Sequence, residues 1–157
     1  MRFEVEDAGG GCCLGPEIVV VLAADGRSCV QSIDPRLGKR RQAEAERLVL
    51  RAFEHLGVDT GDEILICRGD LFDVTASALA ERGFQIERGP VSGDAHQLAE
   101  ETFLRRLRSI LGYRPRFKDR RYAQLNMLLR AEAGRRPALR RFWKANVRRP
   151  AEWTPPA

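Results

Sequence analysis

Two carboxylates stand where an α/β chain does chemistry. In Glu63-Ile64-Leu65-Ile66-Cys67-Arg68-Gly69-Asp70-Leu71-Phe72-Asp73, a short apolar run of β-formers (Ile64 to Cys67) is interrupted by Arg68-Gly69-Asp70, and a helical pattern starts at Leu71. This predicts a buried strand that ends in Asp70 and turns into a helix. Strand ends in open α/β sheets are where ligands and reacting groups gather. The other strand-end acid is Asp7. Residues 2–7 alternate, with Phe3 and Val5 on one face and Glu4 and Glu6 on the other, and Ala8-Gly9-Gly10-Gly11 follows. Three glycines let a backbone bend close to a ligand, or form a plain turn. No Gly-Lys-Ser/Thr follows, so this is not a phosphate-binding loop. Each acid also has an ordinary use: Asp70 as a helix N-cap and Asp7 as a turn residue.

The elements that position these acids follow from periodicity. Glu17 to Ala24 is a near-continuous apolar strand, Asp25-Gly26 is a hairpin signal, and Arg27 to Ile33 returns antiparallel. Asp34 to Gly38 reads as a turn. A helix then runs to Leu56 with Ala45, Leu48, Val49, Ala52, Phe53 and Leu56 on one stripe, and Gly57 as its C-cap. Glu44 and Glu46 lie in its first turns, where the macrodipole also favours acids. Helix 71–82, strand 84–88 and helix 96–111 complete the body. The last helix carries His96 and the acids Glu100 and Glu101, for which a solvated helix face is the ordinary setting. Further helices are expected over 120–133 and 138–147, before a proline-containing end.

Composition narrows the partners. The 157 residues suggest one domain with an appendage. No run approaches the roughly 18 apolar residues of a membrane span, and the acidic N-terminus lacks a signal-peptide pattern, so a soluble, cytoplasmic protein is expected. The cysteines Cys12, Cys13, Cys29 and Cys67 form no Cys-x-x-Cys pair and only two histidines exist, which argues against zinc. The net charge of +5 is unevenly spread: residues 1–112 carry 14 Lys+Arg against 19 Asp+Glu, and residues 113–157 carry 13 against 3. A mildly acidic body with a strongly basic end suggests nucleic acid or another polyanion as partner.

The element order βββαβαβα, with Asp7 ending strand one, Glu44 opening the first helix, Asp70 ending strand four and Glu100 in the last helix of the body, resembles the ribonuclease H-like superfamily. Asp7-Ala8-Gly9-Gly10-Gly11-Cys12-Cys13-Leu14-Gly15 is similar to the strand-one Asp and Gly/Cys loop of its ribonuclease H members. Gly93-Asp94-Ala95-His96 is similar to the Gly-and-His loop before their last helix. The chain departs from the pattern in two places. Gly does not directly follow Asp7, and Gly69 precedes Asp70 where Thr-Asp-Ser is more usual. The resemblance covers residues 2–111 and implies a mixed sheet flanked by helices.

It also implies a divalent-metal-dependent nuclease that hydrolyses phosphodiester bonds of DNA, RNA or a hybrid. Two ions about 4 Å apart clamp the attacking and leaving oxygens, and Mg²⁺ or Mn²⁺ takes hard carboxylate oxygens. On that pattern Asp7, Glu44 (or Glu46), Asp70 and Glu100 (or Glu101 or Asp94) hold the metals. His96 assists proton transfer or product departure, and the crowded carboxylates have raised pKa values in the metal-free state. The alternative is a non-catalytic nucleic-acid-binding or scaffolding module on the same fold.

The expected division is an α/β domain over 1–112 and a basic helical extension and tail over 113–157. In the extension Arg120, Arg121, Arg140, Arg141 and Trp143 are candidates for gripping phosphates and stacking on bases. Lys39, Arg40 and Arg41 would add phosphate contacts on the body. The opposite expectation for the extension is that it folds back and buries its aromatics.

Overall fold

A computed structural model describes residues 1–116 and 122–150. Five strands, β1 (Arg2–Ala8), β2 (Glu17–Ala23), β3 (Ser28–Ile33), β4 (Glu63–Cys67) and β5 (Gln85–Gly89), form one sheet in the order β3-β2-β1-β4-β5. The first three are antiparallel neighbours, and β2 and β3 are joined at Asp25-Gly26 as the hairpin signal predicts. β4 runs parallel to both β1 and β5. β1 is therefore central, and the pairing changes from antiparallel to parallel on its two sides. The loops that leave the C-terminal ends of β1 and β4 meet there, the place where α/β sheets open a crevice.

Among the described residues four α-helices cover the sheet: α1 (Arg41–Leu56), α2 (Asp73–Glu81), α3 (Asp94–Leu111) and α4 (Ala123–Arg135). Alternation along the strands sorts the core into two layers. Phe3, Val5, Val19, Val21, Ile64 and Ile66 pack under the Ala45, Leu48, Val49, Ala52 and Phe53 stripe of α1 and under Leu79 of α2. On the other side Ala8, Ile18 and Val20 pack under Ala99, Phe103 and Leu107 of α3 and Leu125 and Leu129 of α4. The basic extension thus folds back onto the body and shares its second core layer. Gly57 caps α1 at φ 71°, as its position predicts.

Three local expectations change. Asp34 to Gly38 is no simple turn but leads a 3₁₀ stretch over Pro35–Arg40, with the Asp34 carboxylate accepting from the Arg36 backbone N–H. Helix 71–82 is a 3₁₀ turn over Asp70–Phe72 followed by α2. Residues 138–147 do not form one α-helix. A 3₁₀ stretch over Pro137–Phe142 ends at Trp143, which is extended and bridges to Leu14. Tertiary pairing decides this last case: Gly15 N–H donates to Phe142 O and Lys144 N–H donates to Cys13 O. No described helix is long and apolar enough to cross a membrane.

Candidate active site at the strand ends

β1 and β4 are in register up to Val5 opposite Ile66, so one step further Glu6 comes level with Cys67. The residue that ends β4 is therefore Cys67, and Asp70 lies three residues beyond it. Asp7 accepts a hydrogen bond from the Cys67 thiol at 3.1 Å. Glu6 curls back so that its Oε1 accepts from the Asp7 backbone N–H at 2.8 Å, and its Oε2 lies 3.5 Å from His96 Nδ1 on α3. Glu6, Asp7 and Cys67 each offer a donor atom within 4.8 Å of the others, and among the described residues no other trio of acids, histidines or cysteines does so. Glycine makes the approach possible. A Cβ on Gly69 would stand 3.1 Å from Asp7 Oδ1 and one on Gly10 3.3 Å from Oδ2.

The electrostatics follow from this packing. Burial pushes the Asp7 carboxyl up, the Cys67 thiol pulls it down, and the charges of Glu6 and Glu17 push it up again. The net result is about 6. Burial and then the Asp7 charge push the Cys67 thiol far above its ordinary range, so it stays protonated. A protonated thiol is a hydrogen-bond donor and not a ligand. Two adjacent carboxylates without an Arg or Lys ion pair among the described residues, one buried and one with a raised pKa, fit a single hard divalent ion.

A second set of charges lies beside the glycine loop. Glu17, buried at the start of β2, accepts from Arg41 at 3.0 Å and lies 3.3 Å from Lys144 Nζ. Arg41 also bonds the Asp70 carboxylate. The Lys144 ammonium is 1 % exposed and donates to the carbonyl of Gly9, with Gly10 O at 3.4 Å. Burial lowers the Lys144 pKa and the Glu17 charge raises it, and burial dominates.

The expected residues are therefore distributed. Asp7 and His96 belong to the strand-end group through Cys67 and Glu6. Asp70, 72 % exposed at its side chain, faces Arg41. Glu44 is held by Arg47 one turn along α1, which lowers its pKa. Glu100 accepts from the Tyr122 hydroxyl at 2.6 and 2.7 Å, and Glu101 accepts from Gln97. Among the basic candidates, Lys39, Arg40 and Arg141 are exposed, whereas Arg41 is committed to Glu17 and Asp70. Arg140 donates to Ala133 O. Trp143 does not present a stacking face: it is 2 % exposed, donates to Val147 O and carries Arg130 over its ring. Arg120 and Arg121 lie outside the described residues, as does the proline-containing end after residue 150.

Sequence reasoning does not find Glu6, Glu17 or Lys144. Strand alternation puts Glu6 with Glu4 on an exposed face and does not reveal that α3 covers the end of that face. Glu17 is visible as an acid opening an apolar strand, and Lys144 as a lone cation after Phe142-Trp143. Neither signal says where the partner is.

No family model matches the chain, and no curated protein matches it. Solved structures do. A mutant of Bst-RNase HIII superposes with a TM-score of 0.56 at 11 % identity, over 92 % of this chain and 67 % of that one. The catalytic core domain of BIV integrase gives 0.42 at 14 % identity, over 71 % and 68 %. A chain of the simian T-cell lymphotropic virus intasome in complex with a PP2A regulatory subunit gives 0.44 at 14 %, over 88 % of this chain but 42 % of that one. This chain thus spans less than half of the intasome chain's length. At 11 % identity the ribonuclease HIII superposition speaks for the fold alone. The chain has the ribonuclease H-like fold.

Proposed function

We propose that the protein acts on nucleic acid and that Glu6 and Asp7 form the seat of a divalent-metal-dependent phosphodiester hydrolysis. The observation that supports this reading is the meeting of Glu6 and Asp7 at the C-terminal end of the central strand. Two carboxylates lie there without a Lys or Arg ion pair among the described residues, and one is already pushed to about 6. A bound Mg²⁺ or Mn²⁺ would supply Lewis-acid polarisation of a phosphoryl oxygen. Glu6 and Asp7 would hold the ion. His96, on Glu6 and exposed on its outer side, is placed to take or give a proton at its ring nitrogen. The Cys67 thiol orients the Asp7 carboxylate by donating to it. Lys39 and Arg40, exposed before α1, would attract the backbone phosphates.

A second reading, a non-catalytic nucleic-acid-binding module, is favoured by one specific observation. Asp70 and Glu17, which flank the same end of the sheet, are already neutralised by Arg41 and Lys144. Incubation of the protein with labelled duplex DNA, RNA and hybrid, with and without Mn²⁺ or Mg²⁺, separates the two. The hydrolytic reading expects metal-dependent cleavage that Asp7→Asn abolishes. Binding without cleavage under every condition favours the module.

A further inference from the structure

One concavity lies away from the strand-end acids. It is a groove of about 570 Å³ between the end of β3, the outer face of α3 and the 3₁₀ stretch over Pro137–Phe142. Three arginines from three separate segments line it: Arg36, Arg106 and Arg141, all exposed. Its apolar surface comes from Pro16, Ile110 and Phe142. Asp34 is the one carboxylate among the lining residues, and both of its oxygens are taken by Arg36. Arg106 and Arg141 have no carboxylate partner among the described residues, and the Arg141 guanidinium lies 4.7 Å from the centre of the Phe142 ring.

We infer that this groove binds single-stranded nucleic acid, with Arg106 and Arg141 on successive phosphates and an unpaired base against Phe142. The inference rests on the nucleic-acid reading above and names the part of the substrate that the body grips. Cations around a flat apolar surface suit a strand whose phosphates and bases alternate. An acidic peptide supplies charge but no regular series of flat rings. A base reaches such a floor only when it is splayed out of a helix, which selects single strand over duplex. The groove also adjoins the strand-end charges. Ile33, Asp34 and Pro35 line both it and the small pocket that contains Glu17, Arg41 and Lys144.

The test is fluorescence anisotropy with a labelled oligothymidylate and a labelled duplex of equal length, over a range of salt. Arg106→Ala/Arg141→Ala is expected to reduce the slope of log affinity against log salt by about 1.4 for the single strand, at about 0.7 for each phosphate that is no longer neutralised. Arg106→Lys/Arg141→Lys keeps most of that slope. Phe142→Leu weakens single-strand binding by about fivefold or more at unchanged slope, as removal of one base–aromatic stack implies. Arg51→Ala/Arg82→Ala removes the same charge from exposed sites elsewhere and leaves the slope nearly unchanged. Circular dichroism of each variant checks that it is folded. An equal slope change in the remote variant, or a silent Phe142→Leu, overturns the groove. Duplex binding with no single-strand binding overturns the groove and leaves the nucleic-acid reading standing. Binding to neither overturns both.

Discussion

Two pairs of carboxylates near the Gly9–Gly11 loop are treated in opposite ways. Glu17 is paired with Arg41 and Lys144, and Asp70 with Arg41. Glu6 and Asp7 have a thiol and a half-exposed histidine, and among the described residues neither Arg nor Lys forms an ion pair with them, although the Lys144 charge still acts on Asp7. On the reading proposed above, counting acids at a strand end does not locate a metal seat. What matters on that reading is which acids lack an ion-paired Arg or Lys among the described residues.

Breaking the matched pair is expected to give the largest effect. Lys144→Met leaves the carbonyls of Gly9 and Gly10 without their ammonium donor and Glu17 with Arg41 alone. A loss of about 4 kcal/mol in urea unfolding is expected, the scale for removing one partner of a buried ion pair. A loss below about 1 kcal/mol would mean that the buried ammonium is not holding the loop.

Gly9→Ala strikes the loop that touches both groups. Its φ is 85°, and an added Cβ would lie 2.6 Å from the Phe103 ring and 2.9 Å from Pro16 O. Left-handed strain and overpacking together predict about 3 kcal/mol of destabilisation by thermal or urea unfolding.

Asp7→Asn sharpens the contrast by its sign. Folding raises the Asp7 pKa from 3.8 to about 6. The folded state therefore holds the proton more tightly than the unfolded one, and stability falls as pH rises from about 4 through about 6. The metal-free variant should match the wild type below pH 4 and exceed it by up to about 3 kcal/mol above pH 6.5, a difference that two pKa units represent. Added Mn²⁺ should narrow the gap by stabilising only the wild type. Urea unfolding at pH 4, 5, 6 and 7 reads both effects, and a variant less stable than wild type at pH 7 would refute the assignment.

The smallest effect belongs to Glu44. Its bond to Arg47 is an i,i+3 pair on the outer side of α1. Glu44→Gln should cost under about 0.5 kcal/mol and leave metal affinity unchanged.

Much of the fold was legible in the sequence. The Asp25-Gly26 hairpin, the α1 stripe closed by Gly57 and the apolar run at Ile64–Cys67 are local patterns, and local patterns define elements. The candidate site was legible only in part, because it depends on what one element presents to another. Asp7 could be picked out from its glycine loop. Cys67, rather than Asp70, ends the strand beside it, since the parallel register with β1 stops pairing at Ile66. Glu44 falls one turn along from the α1 residue that faces the strand ends, which is Arg41. The 138–147 segment gave up helix for pairing with Cys13 to Gly15, partners more than a hundred residues away. No periodicity within a segment encodes such a partner.

The most direct test of the central claim is calorimetric titration of Mn²⁺ into the wild type, Asp7→Asn and Asp70→Asn. One saturable site is expected in the wild type, absent in Asp7→Asn and retained in Asp70→Asn. Binding that survives Asp7→Asn and disappears in Asp70→Asn would contradict the account and move the metal seat to Asp70.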